Sequence, residues 1–579
     1  MASANPRKLL AQAKQALARG ETDYAGLLLR EAHDAAPKDA AVARLLADVL
    51  LALDRPMEAI EALADHLAVN PRSADAARSL SDIFAAVTPV SFATVNAAGL
   101  TAALRLDRVA ADPLGRAAGP LLAERGEPSA FRRGSDEFTL LIALLEAAPV
   151  REPELESWLV ARRRAALLGT AEVRQARAPL DEPLLAAMAR QVWLNEGVWP
   201  VDGDERRALD GLDPDDPGQV ARAALYLPPE RWCPDDAGAE TLPKCLAGLA
   251  GDIRRERREM ARADAALGRA VCAADATGGA VAAQYEANPY PRWGWVQPAP
   301  RGAGRAFLDR IAGKAGTAAD AAPSGGWAKG PLRILIAGCG TGQEAVQAAL
   351  AYAPNARLLA LDFSRASLRY AAMKARQHGL NAIRFRQADI LDLPAFDPPF
   401  DPPADLIECI GVLHHMADPF AGWRILLGRL RPGGLMYVGL YSATARRGLT
   451  VLRDRLAGAG VDPADPDAIR AARARILARP ENDFERTLAA SADFYTLSEV
   501  RDLLFHAHER PLSLDAVGAF LKDEGLEFLH MDIRPHIAEA FAAAQGESAV
   551  RDLQAWAEFE RENPDTFDGM YLFWVGKPG

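Results

Sequence analysis

Residues 332–342 read LRILIAGCGTG, an apolar run that ends in a turn containing Gly338, Gly340 and Gly342. A nearly continuous apolar stretch of this kind is typical of a strand that is buried on both faces of a sheet. A glycine-rich turn directly after such a strand lets the backbone approach a ligand closely at the strand's carboxyl end. We therefore expect this segment to be the first strand of an α/β domain, with a ligand site at its end.

The sequence after this turn alternates apolar runs with helical stretches. Further buried strands are predicted at ARLLALDFS, AIRFRQADI, ADLIECIG and GGLMYVGLY, with helical stretches such as EAVQAALAYA between them. Such alternation is typical of βαβ units, so we expect a doubly wound, parallel, Rossmann-like sheet. After the fifth strand it stops, and residues 441–512 are predicted to be a helical insertion. It resumes with a helix and two last strands, LEFLHMDI and MYLFWVGK.

Residues 1–90 repeat with a period of 34 positions. Small residues where helices cross, an apolar residue four positions later and a proline after the second helix resemble tetratricopeptide repeats. Helices are predicted at 7–19, 22–35, 41–53 and 56–69, with a capping helix at 74–87. The alternative is an ordinary alanine-rich pair of helical hairpins. The pairs that carry the period are Ala13 and Ala47, Ala25 and Ala59, Leu29 and Leu63, and Pro37 and Pro71.

Residues 91–280 show helical periodicity broken by segments rich in Pro and Asp, which predicts a helical middle domain without recognisable chemistry. One stretch, DIRRERREMAR at 252–262, mixes Arg with Glu and is interpreted as a solvated helix face rather than a nucleic-acid contact. Residues 281–330 are predicted to be an aromatic segment, QYEANPYPRWGWVQP at 284–298, followed by a linker. The predicted chain is thus multidomain, with an all-α N-terminal half and an α/β domain at 331–579.

The composition excludes several classes of protein. The chain has 579 residues, a net charge of −11 and 50% hydrophobic residues, so it is neither a disordered nor a fibrous protein. An acidic surface repels polyphosphate, so neither nucleic acid nor a membrane is expected as a partner. Five dispersed cysteines indicate reduced thiols, and the sequence shows no apolar leader. We therefore expect a cytoplasmic protein.

Acidic residues follow the next two predicted strands. Asp362 ends the second strand and can accept hydrogen bonds from two ribose hydroxyls, and Asp389 follows the third, where a carboxylate can accept from a purine amine. The spacing GxGxG lacks the third glycine of the dinucleotide fingerprint, and the GK[ST] of a P-loop is also missing. A ligand without a pyrophosphate is therefore favoured over a nicotinamide dinucleotide.

Taken in order, AGCGTG, LDFS, QADI, DLIECIGVLHH and LRPGGLMYVG resemble the class I S-adenosylmethionine-dependent methyltransferases. The whole chain is similar to a bacterial group of them with N-terminal tetratricopeptide repeats and a helical middle. The resemblance implies S-adenosylmethionine as cofactor, a glycine turn against its methionine and ribose, and acidic residues on ribose and adenine. Carried over, the cofactor-binding residues are Gly338, Gly340, Gly342, Asp362, Phe363, Asp389, Ile390 and Ile410, with Tyr285 as a lid over the cofactor.

The residues that would act on the methyl acceptor are less defined by the sequence. His414, after the fourth strand, and Tyr441, after the fifth, are the candidate catalytic residues, and no metal site is predicted because no third ligand has motif spacing. The insertion 441–512 carries Arg and acidic residues in equal number and is predicted to be a lid or a recognition cap. We expect a protein acceptor or partner bound through the repeats; a small-molecule acceptor and a cofactor-binding adaptor without catalysis are the alternatives.

Overall fold

The computed structural model describes residues 5–87, 89–169, 182–234, 242–267, 276–298, 303–312, 331–395 and 403–579. The chain divides into two compact units, each composed of several segments. The helical unit contains Met1–Arg254, Gly294–Gln297 and Ala464–Val500, and the sheet unit contains Arg255–Trp293, Pro298–Pro463 and Arg501–Gly579. Each unit is described by itself below.

The described part of the helical unit is built from α-helices, with 3-10 helices at Pro128–Ala130, Pro229–Arg231, Lys244–Leu246 and Ala492–Phe494. Two of its helices, Ala247–Ala266 and Leu497–Phe505, belong to it only up to residues 254 and 500. The others are Pro6–Ala18, Thr22–Ala35, Ala40–Ala52, Pro56–Val69, Ala74–Ala86, Ala97–Leu104, Ala111–Arg125, Asp136–Ala147, Pro153–Leu168, Glu182–Leu194, Gly203–Asp210, Pro217–Ala223, Pro466–Ala478 and Asp483–Ala489.

The first five helices lie within two residues of the predicted positions. Asn5 and Asp39 cap two of them, since each side chain accepts from two backbone N–H groups of the first turn. The repeated alanines at 13, 25, 47 and 59 are fully buried or 1% exposed, so these helices approach one another closely. His66 bonds through Nδ1 to the Pro37 carbonyl oxygen at 2.8 Å, which ties the turn after one helix to the body of another.

Part of the predicted insertion is built into the helical unit through a buried ion pair. The Arg473 guanidinium on Pro466–Ala478 donates to both carboxylate oxygens of Glu156 on Pro153–Leu168, at 2.7 and 2.8 Å. Arg473 is fully buried and Glu156 is 5% exposed. Breaking a buried pair strands a charge, so this contact holds residues 464–500 firmly in the unit.

The sheet unit contains seven strands in the order β3-β2-β1-β4-β5-β7-β6. They are β1 Leu332–Ala337, β2 Ala356–Asp362, β3 Ile383–Gln387, β4 Ala404–Ile410, β5 Leu430–Tyr441, β6 Glu527–Met531 and β7 Met570–Gly576. Its α-helices are Ala276–Ala287, Ala303–Ala312, Gln343–Ala351, Arg365–Gln377, Pro419–Leu427, Arg447–Gly458, Leu514–Asp523, Pro535–Gln545 and Leu553–Glu562, and its 3-10 helices are Ile390–Ala395, Leu413–His415 and Glu547–Arg551.

The sheet is mixed rather than parallel, which corrects the prediction. Strands β1 to β5 pair in parallel, but β7 lies between β5 and β6 and is antiparallel to both. The apolar run of β7 is buried in either orientation, so its sequence carries no record of its direction. The carboxyl ends of β1, β2, β4 and β5 still meet at one edge, which is where ligands bind in such sheets.

The segment predicted as a linker contains a helix. Ala303–Ala312 packs by Arg305, which is 7% exposed and donates to the carbonyl oxygens of Tyr352 at 3.1 Å and Pro354 at 3.0 Å. The remaining linker residues, 299–302 and 313–330, lie outside the described residues. The four predicted domain boundaries stay predictions, and within the described ranges no helix is both long and apolar enough to cross a membrane.

Candidate functional site

A cavity of about 400 Å³ opens at the carboxyl ends of the parallel strands, within the sheet unit. Most of the residues predicted from the sequence to bind the cofactor line it: Gly338, Gly340, Asp362, Phe363, Asp389, Ile390, Ile410 and Tyr285. Of the two candidate catalytic residues, Tyr441 lines it and His414 does not. The structure thus brings together segments that lie far apart in the sequence.

The glycine turn is held open by its backbone conformation. Gly338, Gly340 and Gly342 all have positive φ angles of 75°, 49° and 84°, a region that disfavours side chains. A Cβ at Gly338 would lie 2.3 Å from the Val412 side chain, whereas one at Gly340 would meet only the Tyr290 carbonyl oxygen, at 3.2 Å. Both glycines line the cavity, and Gly340 has the more open surroundings of the two.

Gly342 corrects one predicted contact, because it does not line the cavity. Its missing Cβ makes room for Ala371 of helix Arg365–Gln377, whose Cβ would lie 2.5 Å away. The residue also precedes the first turn of Gln343–Ala351 as its N-cap. The glycine is needed there by helix packing and backbone conformation rather than by a ligand.

Asp362 organises the turn from the end of β2. Its two carboxylate oxygens accept from the backbone N–H groups of Gly340 and Ser364, both at 2.8 Å, and the residue is 6% exposed. Burial raises the pKa of Asp362 to about 6, against the opposing effect of these hydrogen bonds. Each oxygen can accept a further hydrogen bond, so the carboxylate can hold two neighbouring hydroxyls.

The aromatic segment after helix Ala276–Ala287 closes over the turn. The Trp293 indole N–H donates to the Thr341 carbonyl oxygen at 3.1 Å, and the Thr341 hydroxyl donates to the Pro291 carbonyl oxygen at 2.6 Å. The Tyr285 ring lines the cavity, with its centroid 6.2 Å from that of Phe363. These contacts place Tyr285 where a lid residue is expected.

His414 does not line the cavity, and its catalytic role stays a prediction that this geometry does not support. It is fully buried, its Nδ1 accepts from the Tyr441 backbone N–H at 3.3 Å, and its ring packs 3.8 Å from that of Tyr441. The neighbouring His415 lines the cavity instead. Its Nδ1 bonds to the His508 carbonyl oxygen at 2.9 Å, so Nδ1 carries the proton and Nε2 is left as an acceptor.

Three acidic or basic residues of the site were missed from the sequence: His415, Asp502 and Glu344, all of which line the cavity. Asp502 lies in the predicted insertion and is 5% exposed. No signal in the sequence singles it out, since only the fold brings it to the strand ends. Burial and the nearby carboxylate of Glu408 raise the pKa of Glu344 to about 8.

The charges of the lining residues define the kind of ligand that fits. The described residues around the cavity include four with carboxyl groups, Glu344, Asp362, Asp389 and Asp502, and no Lys or Arg. A pyrophosphate, with its several negative charges, would lack a cationic partner there. A ligand with hydroxyls and positive charge fits, and S-adenosylmethionine, with its ribose, ammonium and sulfonium, has this chemistry. Among the described residues no cluster of His, Cys, Asp and Glu could hold a metal ion.

Comparison with known proteins agrees with this class of site. Residues 329–456 match the family model described as "Methyltransferase domain". An uncharacterized protein of Synechococcus is 29% identical over 208 residues, covering 34% of this chain and 48% of its own. The release factor glutamine methyltransferase of Moorella thermoacetica is 38% identical over 123 residues, covering 17% of this chain and 44% of its own.

Among solved structures, PKMT2 from Rickettsia typhi in complex with AdoHcy is similar with a TM-score of 0.32 and 16% identity. The likeness covers 42% of this chain and 48% of that one. The chain spans less than half the length of the curated relatives that it matches.

Proposed function

We propose that the chain is an S-adenosylmethionine-dependent methyltransferase. The observation that carries the proposal is the buried carboxylate of Asp362, bonded to the glycine turn in a cavity without a cationic lining residue among those described. The turn at Gly338 and Gly340 would face the methionine and ribose, with Asp362 on the ribose hydroxyls. Phe363, Asp389 and Ile390 would surround the adenine. The cofactor supplies a methyl group on a positively charged sulfur.

The chain's own contribution to the reaction is to hold the acceptor in line with that methyl group and to exclude water. The apolar side chains of Val412, Met416 and Met570 line the cavity together with Tyr441 and keep part of it dry. The Tyr441 ring is fixed from behind, because the Arg446 guanidinium lies 3.6 Å from its centroid. A ring held in this way is suited to positioning the methyl acceptor rather than to taking part in the reaction itself.

Two measurements test the proposal against its alternatives. Isothermal titration with S-adenosylhomocysteine and with NAD should give binding to the first only; the reverse result would indicate a nicotinamide enzyme. Transfer of a radiolabelled methyl group to a lysate should give a labelled product, whose size separates a macromolecular from a small-molecule acceptor. Binding without any transfer would favour an adaptor that does not catalyse.

Cofactor affinity is expected to fall as the pH is lowered through 6. The buried carboxyl of Asp362 has a pKa of about 6, so it is ionised above this value and protonated below it. Protonation removes acceptor capacity that the ribose hydroxyls need. Titration of S-adenosylhomocysteine between pH 5 and 8 should therefore show a plateau at high pH and weakening below 6. The Asp362→Asn variant should lack this dependence, and a flat wild-type profile would contradict the ribose assignment.

We further propose that the N-terminal helices are tetratricopeptide-like repeats that recruit a protein acceptor or partner. Such arrays present a surface to peptides or proteins, and recruitment raises the local concentration of the acceptor. Four of the seven large apolar side chains exposed in the described residues lie on the first four helices: Tyr24, Leu27, Leu51 and Val69. Exposed apolar side chains on these helices are available to contact a protein partner.

The double variant Tyr24→Ser and Leu27→Ser should reduce methylation of the natural acceptor several-fold at low acceptor concentration. The melting temperature and S-adenosylhomocysteine affinity should not change, because these side chains are 51% and 67% exposed. Val550→Ser, at a position 41% exposed in the sheet unit and outside the insertion 441–512, is the control. Full activity of the double variant would favour a small-molecule acceptor. Substitution is cleaner than deletion, since Gly99 packs directly against the Ala64 backbone of the fourth helix.

A further inference from the structure

A second group of polar and aromatic side chains lies at the cavity and includes the proposed lid residue Tyr285. The Asp502 cluster consists of Asp502, Tyr285, His506, His415 and Tyr441. The Tyr285 hydroxyl donates to Asp502 Oδ1 at 2.7 Å and lies 3.2 Å from His506 Nε2. The His506 and His415 rings stack at 3.8 Å, and His415 meets Tyr441 edge to face at 5.6 Å. The cluster is continuous, and four of its five members line the cavity.

Asp502 is the member of the cluster that can accept a further hydrogen bond. It is 5% exposed, and Oδ1 accepts from Tyr285, but no described residue donates to Oδ2. Because Asp502 lines the cavity, an oxygen that has no donor among the described residues can accept a hydrogen bond from a ligand there. We therefore expect a hydrogen-bond donor of the methyl acceptor to lie at this oxygen.

The two arginines near Asp502 share the carboxylate of Glu509. Arg446 and Arg453 both bind the Glu509 carboxylate, at distances from 2.8 to 3.0 Å, and the Arg453 guanidinium also donates to the Asp502 carbonyl oxygen. Burial raises the pKa of Asp502 to about 6, with Glu509 adding to the effect and the Tyr285 hydrogen bond and both arginines opposing it. Asp502 is therefore mostly ionised at neutral pH.

The other lining groups do not compete for a cation. Asp362 and Asp389 have their proposed partners in the cofactor, and Glu344, with a pKa raised to about 8, is mostly protonated at neutral pH. Burial lowers the pKa of His415 to about 4 and that of His506 to about 2, so both rings are uncharged. A carboxylate flanked by tyrosine rings attracts a cation through an ion pair and through cation–π contact. An anionic acceptor would find no Lys or Arg among the described lining residues.

We infer that the methyl acceptor is an amine that enters in its protonated form, and that Asp502 binds it and accepts its proton. The inference rests on the proposed methyltransferase function and deepens it. A lysine side chain of a protein and a small amine share this chemistry, and the test below separates them. The positive charge of the proposed cofactor lowers the pKa of the acceptor's ammonium group, which helps this group to release its proton.

The step balances without any further reactant. The amine nitrogen gives its proton to Asp502 Oδ2, and its freed lone pair forms a bond to the transferred methyl carbon. The bond between that carbon and sulfur breaks, and its electron pair stays on sulfur. The product is a methylated ammonium, and the Asp502 proton passes to solvent when the product leaves.

The central test is Asp502→Asn, with Asp532→Asn as a matched control. Asp532 also accepts from a tyrosine hydroxyl, that of Tyr437 at 2.6 Å, but is exposed and does not line the cavity. With S-adenosylmethionine saturating at every pH, Asp502→Asn should lower kcat/KM for the acceptor at least about tenfold and abolish the fall in activity below pH 6, while the Kd for S-adenosylhomocysteine changes less than about twofold. The control should match the wild type. Unchanged kcat/KM in Asp502→Asn overturns the inference.

A second variant keeps the test decisive if Asp502→Asn does not fold. Tyr285→Phe keeps the ring and the carboxylate but removes a hydrogen bond that lowers the pKa of Asp502. Its activity should therefore begin to fall at a higher pH than that of the wild type. An unshifted profile, or a shift to lower pH, overturns the assignment of the proton acceptor.

The identity of the methylated atom gives an independent answer. Labelled methyl groups transferred to the protein and small-molecule fractions of a lysate are located by mass spectrometry of the products. Methylated lysine supports a protein source, a methylated small amine supports a metabolite source, and methylation of oxygen, sulfur or carbon overturns the inference. A wild-type protein that does not bind S-adenosylhomocysteine would instead disprove the proposed function, so the two failures are distinguishable.

Discussion

Gly340→Val should abolish detectable binding of S-adenosylhomocysteine while the circular dichroism spectrum stays close to that of the wild type. Gly340 has a φ of 49°, and a Cβ there would lie 3.2 Å from the Tyr290 carbonyl oxygen, at the wall of the cavity. A β-branched side chain is strained at positive φ and would extend into the space of the ligand. We expect a loss of at least about a hundredfold in affinity, or about 2.7 kcal/mol.

The control for this variant is Gly379→Val. Gly379 has a φ of 70°, but a Cβ there would meet nothing within 4 Å. The substitution therefore carries the same kind of backbone strain without blocking a cavity. It should lower the melting temperature and leave the affinity unchanged. Equal losses of affinity in the two variants would mean that strain, and not proximity to the ligand, explains the effect at Gly340.

Asp362→Ala should weaken binding of S-adenosylhomocysteine at least about tenfold, since hydrogen bonds to a charged group contribute about 1.5–3 kcal/mol. The substitution also leaves the Gly340 and Ser364 N–H groups without their acceptor, so the glycine turn loses its support. Both effects act in the same direction. Isothermal titration measures the affinity, and a melting curve shows whether the variant is folded.

Asp405→Ala separates the loss of a buried carboxylate from the loss of this particular one. Asp405 is 8% exposed on β4 and accepts from the backbone N–H and the guanidinium of Arg333, both at 2.9 Å, but it does not line the cavity. Its replacement should destabilise the fold and leave the affinity of the folded protein unchanged. Wild-type affinity in a folded Asp362→Ala variant would rule out the ribose assignment.

The local features of this protein could be predicted from the sequence because each depends on short-range chemistry. Apolar runs positioned β1 to β5, and glycines at alternate positions identified the turn with positive φ. An acidic residue at the end of a strand must lie at the carboxyl edge of the sheet, so the sequence could place Asp362 and Asp389 at the edge where the cavity lies. The 34-residue period positioned the first helices because it reflects where small residues must meet.

Features that join distant parts of the chain were decided by the tertiary structure alone. The direction of β7 depends on its neighbours, because its apolar residues are equally buried in either direction. Of the two neighbouring histidines, His414 accepts from the Tyr441 backbone N–H, and only the packed fold shows which of them does so. Asp502 reaches the cavity through the Tyr285 hydrogen bond, 217 residues away in the sequence, and neither residue type nor spacing records such a contact. Local sequence patterns determine backbone conformation and burial, whereas contacts between residues distant in the sequence form only when the core is packed.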